Sequence, residues 1–344
     1  MLYVGLDLSR KRLDWLALDH EGQPAEIGAV PPDRDALAKL GQRLGDTPVL
    51  AVIESMSGAR FVHDQLELAG WDVRIADAAK ARGLAPLACK TDRIDCRVLA
   101  ELARRNLVPE IWLPDPQVRA ERERSRFRLH LVKHRSALKN RVHAILFQHG
   151  IANPHRDLFG AGGRALLTRL ELAEPWSSTV AASLALVDQL DEQIAACERE
   201  LRRLGVHHPY IPLLTTIPGI AWVLGYTIAA EIGDIARFPS PRKLVGNTGL
   251  APRVDQSGER DRRGPLRKNG PNYLRWALIE AAHTAGRNPR YRPIVERMRA
   301  RHGRSRGSKI AAIEIGRRLT EAIWHMLTDE QPFAPAGAPT PVAA

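Results

Sequence analysis

Cysteine is scarce in this chain of 344 residues: Cys89, Cys96 and Cys197 are the whole supply, and no two form a CxxC pair. That argues against a zinc ribbon and a disulfide scaffold, and a reducing cytoplasm is the expected setting. Long apolar runs are missing too, and none reaches the ~18 residues that a membrane-spanning helix needs. The opening MLYVGLDLSRKR places its apolar residues before its basic ones, the reverse of a secretory signal. No GxGxxG opens a helix behind the first apolar run, which argues against a dinucleotide-binding fold. Neither a zinc finger nor a helix with a clear base-reading set is present. Apolar residues as a class are not lacking: a 44% hydrophobic content is that of an ordinary globular protein and excludes wholesale disorder.

What the chain has in excess is positive charge. It carries 51 Lys and Arg against 39 Asp and Glu, a formal charge of +12, with a pI near 10.1. A polyanionic partner is expected, most simply nucleic acid. Residues 253–306 hold 15 basic and 5 acidic residues, so most of the excess lies in one segment. There the arginines alternate with Gly, Asn, Ser and aromatics (GERDRRGPLRKNGPNYLRW). Small residues let a backbone approach phosphates, and Arg binds them bidentately. A merely solvated surface is the alternative on composition alone.

The length allows two domains of roughly 100–200 residues, and the pattern divides the chain further. Residues 2–8 (LYVGLDL), 12–18 (RLDWLAL), 24–30, 48–53 (PVLAVI) and 72–76 read as strands, and 33–44, 61–69 and 92–105 as helices. Three strands followed by alternating helices and strands predict a mixed sheet with helices on both faces, the element order of the ribonuclease H fold. A long, very basic helix follows over 116–150, with Leu129, Val132, Leu138, Val142, Ile145 and Leu146 in one stripe. A second spans 176–204, with Leu184, Val187, Leu190, Ile194, Cys197 and Leu201 spaced by three or four. The pair reads as an antiparallel coiled-coil hairpin or oligomerisation arm, or else as ordinary amphipathic helices packed on the sheet. Pro218-Gly219-Ile220 resembles a helix–hairpin–helix turn, which offers backbone N–H groups to a phosphate. Residues 241–300 read as mainly helical with Gly/Pro breaks, and the final APAGAPTPVAA as a disordered tail.

Four acids stand in informative places. Asp7 lies near the end of the first strand and Glu54 directly follows the fourth. Asp92 and Asp95, spaced i, i+3, open a helix and share one face. Taken singly, each reads as a cap or a surface charge; Asp92 suits a helix N-terminus. In a ribonuclease H-like sheet the first and fourth strands are central neighbours, and the four acids converge. Four hard oxygen donors suit Mg²⁺, with room for two ions about 3.5–4 Å apart.

The C-terminal block makes the chain recognisable. GLDLS (Asp7), VIES (Glu54), KTDRIDCRVLAEL (Asp92, Asp95), IPGIAWVLGYTIAAEIGD, FPSPRKLVGNTGLAP, QSGERDRRG and NGPNYLRWAL together resemble the transposases of the IS110 family, relatives of the Piv-type DNA invertases. The resemblance spans roughly residues 2–330. It departs at SMSG after Glu54, where Thr-Gly is more usual, and at PLRKN (265–269), where a Ser-Lys-Arg-like run is more usual.

The resemblance implies an α/β ribonuclease H-like (RuvC-like) domain with a D-E-D-D set over 1–115 and a coiled-coil helical middle over 116–205. A mainly α C-terminal transposase domain over 206–330 and a tail over 331–344 complete the layout. It also implies a recombinase that cuts and rejoins DNA through a covalent phosphoserine, and Ser257 of QSG is the matching position. Covalent catalysis conserves bond energy, so rejoining needs no ATP. Asp7, Glu54, Asp92 and Asp95 would hold Mg²⁺. Arg260, Arg262, Arg263, Arg267, Lys268 and Arg275 would meet the nucleic acid. Because Ser257 and the acids lie ~160–250 positions apart, the resemblance requires a composite site, within one chain or between copies. Further implications are a structured noncoding RNA that guides the protein to donor and target DNA, a dimer or tetramer, and a nucleoid-associated cytoplasmic location. Without the resemblance, Ser257 reads as a turn residue before Gly258. Ser240 is a rival nucleophile, and Ser9, Ser55 and Ser57 lie beside the acids. Two other functions stay open: a RuvC-like Mg²⁺-dependent nuclease using water, and a non-catalytic RNA-binding protein.

Overall fold

The computed structural model describes residues 1–45, 47–84, 92–257, 260–266 and 270–334; of Asp92 and of residues 254–257 and 260–263 it describes the backbone alone. The chain divides into two compact units, Met1–Leu113 and Pro114–Ala344.

The first unit is a five-stranded mixed sheet. Strands β1 (Leu2–Leu8), β2 (Leu13–Leu18) and β3 (Pro24–Val30) are followed by α1 (Arg34–Arg43), β4 (Val49–Glu54), α2 (Ala59–Leu68), β5 (Asp72–Ala76), α3 (Ala78–Leu84) and α4 (Asp92–Arg104). The sheet order is β3-β2-β1-β4-β5. β1, β2 and β3 pair antiparallel, while β4 runs parallel to both β1 and β5. This is the mixed sheet that the element order predicts. On one face Val4, Leu6, Leu13, Trp15, Ala51 and Ile53 bury against Leu37, Leu40, Val62 and Leu66 of α1 and α2. α4 covers the other face, with Cys96 and Ala100 against Leu16 and Leu18, and Leu99 and Leu102 against Leu50 and Val52. The helix lies so close that a Cβ on Gly5 would stand 1.7 Å from the Cys96 carbonyl oxygen. Only glycine allows that approach at the sheet's centre.

The second unit is mainly helical. α5 (Pro116–Gln148), α6 (Ala161–Arg169) and α7 (Trp176–Gly205) come first, followed by α8 (Ile211–Leu214), α9 (Trp222–Ile232), α10 (Pro241–Thr248), α11 (Asn272–Ala285), α12 (Arg292–His302) and α13 (Arg304–Thr328). Asp115 caps α5 by accepting from the Val118 N–H at 2.9 Å, with Pro116 at the first helical position. α5 and α7 run antiparallel: Arg124 meets Glu200, Arg128 meets Glu198, Arg135 meets Asp191, and Val142, Ile145 and Leu146 pack with Val180. From the expected stripe Leu129, Val142, Ile145 and Leu146 are buried and Val132 and Leu138 half-buried, and Leu131 joins the buried set. α8 to α13 enclose a separate core around Leu214, Ile228, Leu244, Leu278, Ile315 and Leu319.

One expectation for this unit is corrected. Residues 241–300 are not simply helical: β6 (Pro252–Ser257) and β7 (Arg260–Leu266) form an antiparallel hairpin between α10 and α11. The segment is too polar to show the alternation by which strands are read. The Pro218-Gly219-Ile220 turn follows a helix of a single turn, and Gly219, at φ 94°, closes onto α11. A Cβ there would stand 2.6 Å from the Ala281 carbonyl oxygen, so glycine is required where this turn, between α8 and α9, packs on α11.

Candidate active site

Alternation along β1 decides where Asp7 goes. Val4, Leu6 and Leu8 enter the core against α1 and α2, so Tyr3, Gly5 and Asp7 take the face that α4 covers. On β4, Val49, Ala51 and Ile53 join the first core while Leu50 and Val52 face α4. Glu54 therefore shares the α4 face with Asp7. The parallel register pairs Leu6 with Ile53, and one step further sets Asp7 beside Glu54 on neighbouring strands about 4.8 Å apart. Both acids are half-buried.

The direction of α4 follows from two glycines. Gly5, near the middle of β1, touches Cys96, whereas Gly22, in the β2–β3 turn at the opposite end of the sheet, touches Glu101 and Arg104. α4 thus begins at the end of the sheet where β1 and β4 finish. Its first turn carries Asp92 and a half-buried Asp95 to that end; the Asp92 side chain lies outside the described residues. Asp7, Glu54 and Asp95 belong to one end of one sheet face, and the backbone of Asp92 opens α4 at that end. Among the described residues, no three acidic, histidine or cysteine side chains are gathered as a metal centre. The donor chemistry, carboxylates on rigid elements with no sulfur or imidazole among them, fits a hard divalent cation.

Sequence reasoning passed over a fifth acid here. Asp14 on β2 is the cross-strand partner of Asp7, so both project on the same face. Arg12 holds Asp14 bidentately, with Nε 2.9 Å from Oδ2 and Nη2 2.7 Å from Oδ1. The available signal was the register of the first hairpin. Nearby hydroxyls serve the backbone: Ser9 donates to the Arg12 carbonyl at 2.9 Å, and the Ser55 hydroxyl accepts from the Ala78 N–H at 3.4 Å.

Ser257 lies in the second unit, as the last residue of β6, where its Cα pairs with that of Arg260 on β7. Arg262 and Arg263 follow on β7, opposite Asp255 and Val254. The side chains of Ser257, Arg260, Arg262 and Arg263 lie outside the described residues, as do Arg267 and Lys268 entirely. Arg275 is half-buried in the first turn of α11 and donates to the Asn272 carboxamide oxygen. Ser240 precedes α10 and makes no side-chain cap bond.

Two family models match parts of the chain. Residues 4–151 match the family model DEDD_Tnp_IS110, described as a transposase, and residues 211–296 match the model of the transposase IS116/IS110/IS902 family. The chain carries transposase domains of the IS110/IS116/IS902 family. It is similar to the transposase for insertion sequence element IS1328 of Yersinia enterocolitica, at 25% identity over 83% of this chain and 86% of that protein. The transposase for insertion sequence element IS1111A of Coxiella burnetii is 24% identical over 71% of this chain and 68% of its own length. A Sinorhizobium fredii protein named as a transposase, y4qE, is 30% identical over 58% of this chain, and that match spans about half, 49%, of the relative. A transposase domain implies DNA-cutting activity, and the DEDD domain suggests use of a divalent metal. The first model's span contains Asp7, Glu54, Asp92 and Asp95, and the second's contains Ser257 and Arg260 to Arg275. Residues 297–334 fall outside both. Among the described residues no helix is long and apolar enough to cross a membrane.

Proposed function

We propose that this transposase cuts and rejoins DNA through Ser257, with Asp7, Glu54, Asp92 and Asp95 holding Mg²⁺. The Ser257 hydroxyl attacks a phosphodiester: a P–Oγ bond forms, one P–O bond to the DNA breaks, and the serine proton passes to the departing oxygen by way of a nearby base. Attack of a second DNA hydroxyl on the phosphoserine reverses the exchange and frees Ser257, so no external energy source is consumed. Mg²⁺, when bound, supplies Lewis-acid charge neutralisation at the phosphate. Arg260, Arg262, Arg263, Arg267, Lys268 and Arg275 offset the phosphate's charge as it develops. Exchange between two duplexes requires at least two copies of the chain. An element-encoded RNA that pairs with donor and target supplies the sequence specificity, as in other guided systems.

The observation that carries the reading is the in-register placement of Asp7 and Glu54 on the face where α4 begins. Nucleic acid copurifying with the chain, once sequenced, tests the RNA. For the chemistry, Ser257→Ala is expected to abolish a protein–DNA adduct that survives denaturation, and Asp7→Asn to lower strand exchange by at least ~100-fold. Undiminished exchange in EDTA refutes the metal. A second reading, hydrolysis by water at the acids, is favoured by the fact that all four belong to one unit while Ser257 belongs to the other. Under that reading Ser257→Ala still cuts.

A further inference from the structure

Two stretches of the second unit are equally basic by composition. α5 carries nine Arg and Lys against two Glu, and residues 287–309, which span α12 and the start of α13, carry nine against one. The structure treats them differently. On α5, Arg126 chelates the fully buried Glu231, Arg122 donates to the Ala230 and Glu231 carbonyls, and Arg124, Arg128 and Arg135 meet acids of α7. Lys133 and Lys139 lie over the Tyr273 and Phe159 rings. The charge of α5 is largely used in holding the unit together.

On the α12–α13 corner, among the described residues, Arg292 alone has a carboxylate, Glu296. Arg299 donates to the Ser308 hydroxyl at 2.9 Å, and Arg290 lies over the Tyr291 and Phe333 rings. Arg297, Arg301, Arg304, Arg306 and Lys309 are exposed, and among the described residues none has an ion-pair partner. Just beyond, on α13, Arg317 and Arg318 share Glu314, so the unneutralised charge ends at the corner. Beside it lies an open groove of about 660 Å³ lined by His283, Arg287, Arg292, Arg299 and Ser308.

We propose that this corner is a docking surface for the sugar–phosphate backbone of duplex DNA, resting on the reading of the chain as a DNA-acting transposase. Uncompensated guanidinium groups on a rigid helical corner bind phosphates by releasing condensed counterions, without regard to base sequence. α12 is about 16 Å long, which spans roughly five phosphates of one strand at 3.4 Å of rise each. DNA is the occupant because it is the polyanion on which the family acts. Most of the corner lies beyond the residues matched by either family model, so this surface adds affinity to whatever the matched segments do.

The test uses the full chain and a 30-base-pair duplex of arbitrary sequence, with binding followed by anisotropy from 50 to 300 mM NaCl. Changing Arg297, Arg301, Arg304 and Arg306 together to Gln is expected to lower the slope of log K against log salt by about 2–4, near 0.9 for each phosphate no longer neutralised. The same four changed to Lys are expected to keep the wild-type slope. An unchanged slope in the Gln set overturns the proposal, and so does an equal loss in the Lys set, which means that shape and not charge was disturbed. A loss confined to an RNA hairpin, with duplex DNA unaffected, overturns it in favour of RNA. Wild-type chain that holds no duplex at 50 mM salt defeats the DNA-acting reading itself, whereas wild-type binding with an unaltered Gln set defeats the corner alone.

Discussion

α5 and the α12–α13 corner carry nine Arg and Lys each. Among the described residues, five arginines of α5 face carboxylates of α7 and α9, and one arginine of the corner faces any. Local basicity therefore does not locate a nucleic-acid surface. What matters is whether the fold brings acids to the cations. α7 does so because its Asp191, Glu198 and Glu200 oppose Arg135, Arg128 and Arg124 once the helices run antiparallel. The very basic composition of α5 therefore leaves little free charge for a polyanion, and Arg141, exposed and unpaired among the described residues, is what that stretch still offers.

The contrast breaks most sharply at Glu231. Its carboxylate is fully buried and bound by Arg126 at 2.7 and 3.0 Å, with Arg122 at 4.0 Å. Removing it leaves two guanidinium groups, both more than half withdrawn from water, without a counter-charge. Glu231→Ala is expected to destabilise the second unit by about 3–5 kcal/mol, the usual penalty for breaking a buried pair from one side. Urea unfolding followed by helix circular dichroism checks it, and a loss below ~1 kcal/mol makes α5 no more dependent on its charges than the corner.

A smaller effect is expected between α5 and α7. Arg135 and Asp191 stand 2.5 Å apart but are 27% and 41% exposed. A double-mutant cycle of Arg135→Ala and Asp191→Ala is expected to give a coupling of about 0.2–1 kcal/mol that shrinks in 1 M NaCl. A coupling that is large and insensitive to salt shows the hairpin to be held by charge more than by Val142, Ile145, Leu146 and Val180.

The first unit was largely legible in the sequence because its signals are local. Stretches of five to seven residues rich in apolar side chains mark β1, β2, β4 and β5, and the order of strands and helices fixes which strands can lie together. The places of Asp7, Glu54 and Asp95 follow from that order. Asp14 was not legible, because its proximity to Asp7 is a matter of register and its strand face looks merely polar. β6 and β7 were missed because Val254 is the one β-branched apolar residue in PRVDQS–RDRRGPL. A strand stabilised by pairing alone leaves no periodic trace. The internal use of α5's arginines was invisible for a related reason, since Glu231 lies 105 residues from Arg126 and reads as one more charge in an apolar helix.

The smallest expected effect is on the stability of the corner variant. Exposed side chains without partners contribute almost nothing to a fold, and surface substitutions of that kind stay within about 0.5 kcal/mol. The corner's net charge even allows a stabilising change, because removing four like charges from neighbouring turns relieves their mutual repulsion. The quadruple Gln variant is therefore expected to unfold in urea at the wild-type midpoint or slightly above it, most visibly at low salt. A midpoint clearly below wild type means that some of these arginines hold the fold as α5's do. The two basic stretches then differ in degree and not in kind, and the reason for assigning the corner to DNA disappears with the difference.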